Sequence, residues 1–85
     1  MSVSAPVQSR FIWEISKEIR EDWAKPYFGA VPYIDAMDNI RLITDPYYYD
    51  TGREMVIRFL SNANTWRGEK ARKIKAELKA MAGLK

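Results

Sequence analysis

Eighty-five residues, 47% hydrophobic and 29% charged, read as one globular domain with a thin core, because a chain this short buries only about 60–65% of the surface its unfolded form exposes. The chain has no cysteine and no histidine, which excludes disulfides, thiolate metal sites, and the commonest general base and metal ligand. Its net charge of +3 is uneven: residues 1–65 carry seven Lys/Arg against nine Asp/Glu, whereas residues 66–85 carry seven against two, so the basic excess lies in the last segment.

The opening, "MSVSAPVQS", has neither a basic region nor an apolar run and does not resemble a signal peptide. Residues 1–8 are expected to be a disordered tail ahead of a single helical domain over 9–85. No apolar run approaches the roughly 20 residues of a membrane span. With cysteine absent as well, a cytoplasmic location is expected and no membrane partner.

A first helix is expected over about 10–24, with Ser9 as its N-cap. Phe11, Ile15, Ile19 and Trp23 stand four apart, Ile12 widens the stripe, and Trp13 lies off it. Pro26 ends the helix at or before Lys25. "PYFGAVPYIDAM" follows. Gly29 is free to take a positive φ, and Pro32 suits the first turn of a short helix over 32–42 carrying Tyr33, Ile34, Met37 and Ile40. "RLITDP" leads into a loop.

A third helix, over about 51–62, opens on the capping box "TGRE", with Asp50 as a competing cap one residue earlier. Met55, Val56, Phe59, Leu60 and Ala63 form its apolar face. A fourth, over about 66–82, is capped by Asn64 or Thr65 and buries Ala71, Ile74, Leu78 and Met81, with Gly83 as its stop. Gly68 in its first turn costs about 1 kcal/mol against alanine, or allows another backbone to approach. No segment alternates with period two. The expected fold is all-α, a compact bundle of four helices.

Three stretches carry candidate function. "DPYYYD" places Tyr47, Tyr48 and Tyr49 before the third helix. Side chains alternate along extended chain, so at least one ring faces outward; the others cover the core edge, Tyr49 stapling onto Met55 or a neighbour. Asp45 and Asp50 bracket the run, and Asp35 and Asp38 precede it, which suggests an acidic, aromatic surface. In "SNANTWRGE", Asn62, Asn64 and Thr65 suit a turn between helices, Trp66 packs over the loop, and Arg67 pairs with an acid or is exposed. On the last helix Arg72, Lys75 and Lys79 share one stripe and Lys70 and Lys73 another, either as a solvated face or as a footprint for phosphate.

No catalytic, cofactor or metal pattern is present: there is no GxGxxG, Walker loop or HExxH, and the carboxylates are interspersed with basic residues. No cofactor and no metal are expected, and the chain is not expected to be an enzyme.

"YFGAVPYIDAM" and "FLSNANTWRGEKARKIKAELKAM" resemble stretches shared by small uncharacterised proteins of actinobacterial phages, prophages and related bacteria, often opening with a helix similar to "EISKEIREDWAKPYF". The resemblance covers about residues 11–82 and implies a phage-type protein of the bacterial cytoplasm without a known activity. Together these readings predict a non-enzymatic accessory protein that binds a host or phage protein through Tyr47, Tyr48, Tyr49, Asp50, Trp66 and Arg67, with self-association as a variant. The alternative is a nucleic-acid-binding module using Lys70, Arg72, Lys73, Lys75 and Lys79.

Overall fold

A computed structural model describes residues 8–84. Four helices run in order: α1 (Ile12–Asp22), α2 (Val31–Met37), α3 (Gly52–Ser61) and α4 (Glu69–Met81). Between α2 and α3 lies a two-residue antiparallel ladder, β1 (Pro46–Tyr47) with β2 (Asp50–Thr51). The all-α expectation holds in a coarser form, a mostly helical domain with four helices, and the two-residue ladder departs from it. One apolar cluster unites all four helices. α3 packs chiefly on α2, and α1 touches both α2 and α4.

α1 starts two residues later than the sequence suggests, with Phe11 rather than Ser9 at its cap. The cap is supplied from a distance. Ile12 N donates to the Arg41 carbonyl at 2.9 Å and Trp13 N to the Ile40 carbonyl at 3.0 Å. These donors would otherwise lack partners in the first turn. The Glu14 carboxylate accepts from Phe11 N at 2.8 Å. The late start rotates the stripe: Ile12, Ile15 and Ile19 are buried, while Phe11 is exposed beside Trp13. Gln8 lies against the same segment, its amide donating to the Arg41 carbonyl and accepting from Ile43 N. The expected tail at 1–8 therefore lies outside the described residues except at Gln8, which is tied down.

α2 ends at Met37, five residues short of expectation. Asp38 and Asn39 turn the chain, and Ile40 is buried from an irregular segment whose carbonyls cap α1. The Ser16 hydroxyl, buried in α1, donates to Asp38 Oδ1 at 2.7 Å. Arg20 Nη2 bonds both Asp35 and Asp38 at 2.6 Å. Gly29 has no positive φ. Its use is close approach, since a β-carbon there would stand 2.5 Å from the Tyr27 ring and 3.0 Å from Asn62 Oδ1.

α3 is capped by Thr51, whose hydroxyl accepts from Glu54 N at 3.4 Å. The next two donors go to other segments: Gly52 N to the Asp45 carbonyl and Arg53 N to the Ile43 carbonyl, each at 2.8 Å. Gly52 is pressed against that loop, and a β-carbon on it would stand 2.6 Å from the Leu42 carbonyl oxygen. α4 begins at Glu69, not near 66, because Gly68 takes φ 115° and lies outside the helix as its cap. Neither Asn64 nor Thr65 caps it. At the other end Gly83 adopts φ 76°, and Leu84 N reaches back to the Lys79 carbonyl at 2.8 Å, closing the helix as expected. Arg10 fastens the ends of the fold together, bonding Glu77 through two nitrogens at 2.8 and 2.9 Å and also pairing with Glu18. Two carboxylates keep the Arg10 guanidinium charged, and Arg10 in turn holds the Glu18 carboxyl below the usual range.

Candidate functional site

Two connections flank α3, and both were candidates from the sequence. The first is the tyrosine hairpin. Pro46 pairs with Thr51 and Tyr47 with Asp50, which leaves Tyr48 and Tyr49 as a two-residue turn. Such turns favour glycine, asparagine or aspartate because they require positive φ. Here Tyr48 takes φ 56°, the single non-glycine residue to do so among the described residues, at a cost of about 1–2 kcal/mol. The base is held firmly. Asp45 accepts from Arg41 N and Leu42 N, each at 3.1 Å, which holds its carboxyl below the usual range. Asp50 pairs with Arg58 at 3.0 Å.

At least one ring faces outward, as expected, but the turn and not alternation divides the three. Tyr47 packs against the core and meets Tyr48 edge-on, with centroids 4.8 Å apart. Tyr48 is 86% exposed and Tyr49 103% exposed, so Tyr49 does not staple onto Met55. The carboxylates expected to make this surface acidic are engaged within the fold. Asp50 faces Arg58, Asp35 and Asp38 face Arg20, and Asp45 caps a backbone turn. Burial opposes charge on Asp38, but hydrogen bonds from Arg20 and Ser16 outweigh it and leave its pKa lowered. What the hairpin offers a partner is aromatic surface rather than negative charge.

The second connection, residues 62–68, does the opposite with its ring. Trp66 is 2% exposed and stacks on Trp23, with centroids 5.7 Å apart and planes 9° from parallel. Phe59 meets the pair edge-on. The indole N–H donates to Asp22 Oδ2 at 2.8 Å. Lys75 Nζ donates to the Trp66 carbonyl at 2.6 Å and lies 5.9 Å from its ring centroid. Trp66 is therefore a core residue, not a contact residue. It also sits beyond the far end of α3 from the tyrosines, about 15 Å along the ten-residue helix. Arg67 is exposed on this second connection. The structure does not unite Trp66 and Arg67 with Tyr47–Asp50 in one patch.

The five cations of α4 separate in the same way. Lys70 pairs with Glu18 and Lys73 with Glu69, each at 3.8 Å. Lys75 is engaged by the Trp66 carbonyl. Burial first, then the charges of Lys79 and Arg67, pushes the Lys75 ammonium pKa down. Arg72 and Lys79 are exposed. No continuous row of unengaged cations runs along the helix. A basic group gathers at its beginning instead, where Arg67, Arg72 and Lys75 line a cleft with Asn64 and Gly68.

Sequence reasoning missed several exposed rings, including Phe28, 80% exposed beside Tyr27. A signal was present: the two aromatics of "KPYFGA" fall between α1 and α2, outside the apolar stripe of either helix. Among the described residues no group of three or more acidic side chains is arranged to hold a metal ion, and no helix is long and apolar enough to cross a membrane. Compared with known family models, curated proteins and solved structures, the chain matches none.

Proposed function

We propose that this chain is a non-enzymatic binding protein of the phage accessory type, which engages a host or phage protein with the tip of the Tyr47–Asp50 hairpin. One observation carries the reading. A bulky residue, Tyr48, is held in a left-handed conformation so that two neighbouring rings project fully into water. Local strain of this kind persists where surrounding structure over-determines it, and it concentrates at functional positions. Tyrosine is also a residue type that supplies large contact area with few rotatable bonds. The anchored base, with Asp45 and Asp50 both bonded, presents the rings with little left to order on binding.

The test is capture of partners from a bacterial lysate by wild type, by the double variant Tyr48→Ala/Tyr49→Ala, and by Lys73→Gln as a surface control. The expected result is a discrete partner held by wild type and the control and lost by the double variant, with a loss of affinity of about 30-fold or more in the purified pair. Equal retention by all three removes the hairpin assignment. Sedimentation of the wild type against the double variant tests self-association through the same tip. A concentration-dependent dimer that the double variant abolishes makes the partner a second copy of the chain.

A further inference from the structure

The stretch "SNANTWRG", residues 61–68, buries its tryptophan, and its polar residues face outward into two clefts that meet at Asn64. The first, of about 280 Å³, is neutral and is lined by the Tyr27 ring with Ser61, Asn62, Asn64 and Thr65. The second, of about 290 Å³, runs over Gly68 between Arg67, Arg72 and Lys75. No carboxylate lines either cleft. The nearby acids are engaged elsewhere: Glu69 with Lys73, Glu77 with Arg10, and Asp22 with the Trp66 indole. Lys75 is held in place by the Trp66 carbonyl at 2.6 Å. Each cleft alone is near the lower limit of a ligand site, and side by side they reach its usual size of about 300–1,000 Å³.

We propose that the paired clefts bind a nucleoside phosphate, free or as a unit of a single strand. The phosphate sits among Arg67, Arg72 and Lys75. The neutral cleft takes the sugar and base, hydrogen-bonded by Asn64 and Thr65 and stacked on Tyr27. Three cations around one cleft with no acid among them favour an anion, and planar guanidinium groups suit phosphate geometry. The neutral half, ending in an exposed phenol ring, distinguishes this ligand from a bare anion, because bases of every kind stack on such rings. Burial first, and then the charges of Lys79 and Arg67, push the Lys75 pKa down, and an anion entering the cleft opposes both. This site is independent of the tyrosine hairpin, so the two proposals fail separately.

The test is titration of the full chain, followed by amide NMR shifts and calorimetry, with adenosine 5′-monophosphate, adenosine, inorganic phosphate and a short oligoadenylate. Saturable shifts from the monophosphate at Tyr27 and across Ser61–Lys75 are expected, with adenosine and inorganic phosphate each weaker by about tenfold or more. Arg72→Gln should weaken the monophosphate by about tenfold. Tyr27→Ala should weaken the monophosphate but not inorganic phosphate. Tyr48→Ala and Lys73→Gln should bind as wild type does. An oligonucleotide that binds more than tenfold tighter, with a steeper salt dependence, identifies a strand as the source. Equal affinity identifies the free nucleotide. The proposal is overturned if neither nucleotide probe saturates at millimolar concentration. It is also overturned if inorganic phosphate binds as well as the monophosphate, or if Arg72→Gln and Tyr27→Ala change nothing.

Discussion

The connections at the two ends of α3 both carry aromatic rings, and those rings have opposite fates. Both join helices, and both hold aromatic rings among small polar side chains. The one after α3 buries Trp66 because a partner is in place for every part of it: Trp23 for the ring face, Phe59 for an edge, Asp22 for the N–H and Lys75 for the carbonyl. The one before α3 exposes Tyr48 and Tyr49 because a two-residue turn points both away from the apolar core. An aromatic residue in a loop is core or contact surface according to what the rest of the fold brings to it. Composition alone does not distinguish the two.

The sharpest way to break this comparison is to truncate one ring on each side. Trp66→Ala removes a buried indole and should destabilise by about 3–5 kcal/mol, whereas Tyr49→Ala should stay within about 0.5 kcal/mol. Denaturant unfolding of both variants measures the difference, and equal effects would mean the two loops are not distinguished as described. Next in size is Gly52→Ala, at the base of the hairpin. Its β-carbon meets the backbone oxygen of Leu42, and a backbone atom cannot move aside as a side chain can, so a loss of about 1–3 kcal/mol is expected.

Tyr48→Gly should go the other way. It relieves the left-handed strain and gives back part of that gain in unfolded-state entropy, for a net stabilisation of about 0.5 kcal/mol. The same variant should lose partner capture. Stability gained together with binding lost is the outcome expected of a strained recognition residue, and a stability loss would show that the ring packs in the folded state. The smallest effect is that of pH. Arg10 first, and then Lys70, hold the Glu18 carboxyl below its ordinary value. A folded pKa below the unfolded one stabilises fully above about pH 4.3 and loses that contribution as pH falls through the folded value. Stability should therefore be level above about pH 5 and fall below about pH 4, and Glu18→Gln should make that fall shallower.

Much of the helical framework is legible from spacing. The stripes Met55, Val56, Phe59 and Ala71, Ile74, Leu78, Met81 are buried as their periods require, and Thr51 and Gly83 end their helices by local chemistry. The hairpin is not legible, because Tyr48-Tyr49 lacks every residue that normally announces a tight turn. The start of α1 is misjudged because its cap is the backbone of residues 40 and 41, which lie nearly thirty positions away in the chain. The candidate site is half legible. An outward tyrosine follows from alternation alone, but the burial of Trp66 depends on Trp23 and Asp22, and the pairing of Lys70 with Glu18 joins α4 to α1.

What the amino-acid order determined by itself is therefore local: which residues coil, which faces are apolar, and where glycine stops a helix, all consequences of interactions within five positions. Which rings and charges remain available to a partner was decided by tertiary structure. Exposure depends on neighbours distant in the chain, and only packing brings Trp23 onto Trp66 and Arg20 onto Asp38 while it leaves Tyr48 and Tyr49 exposed.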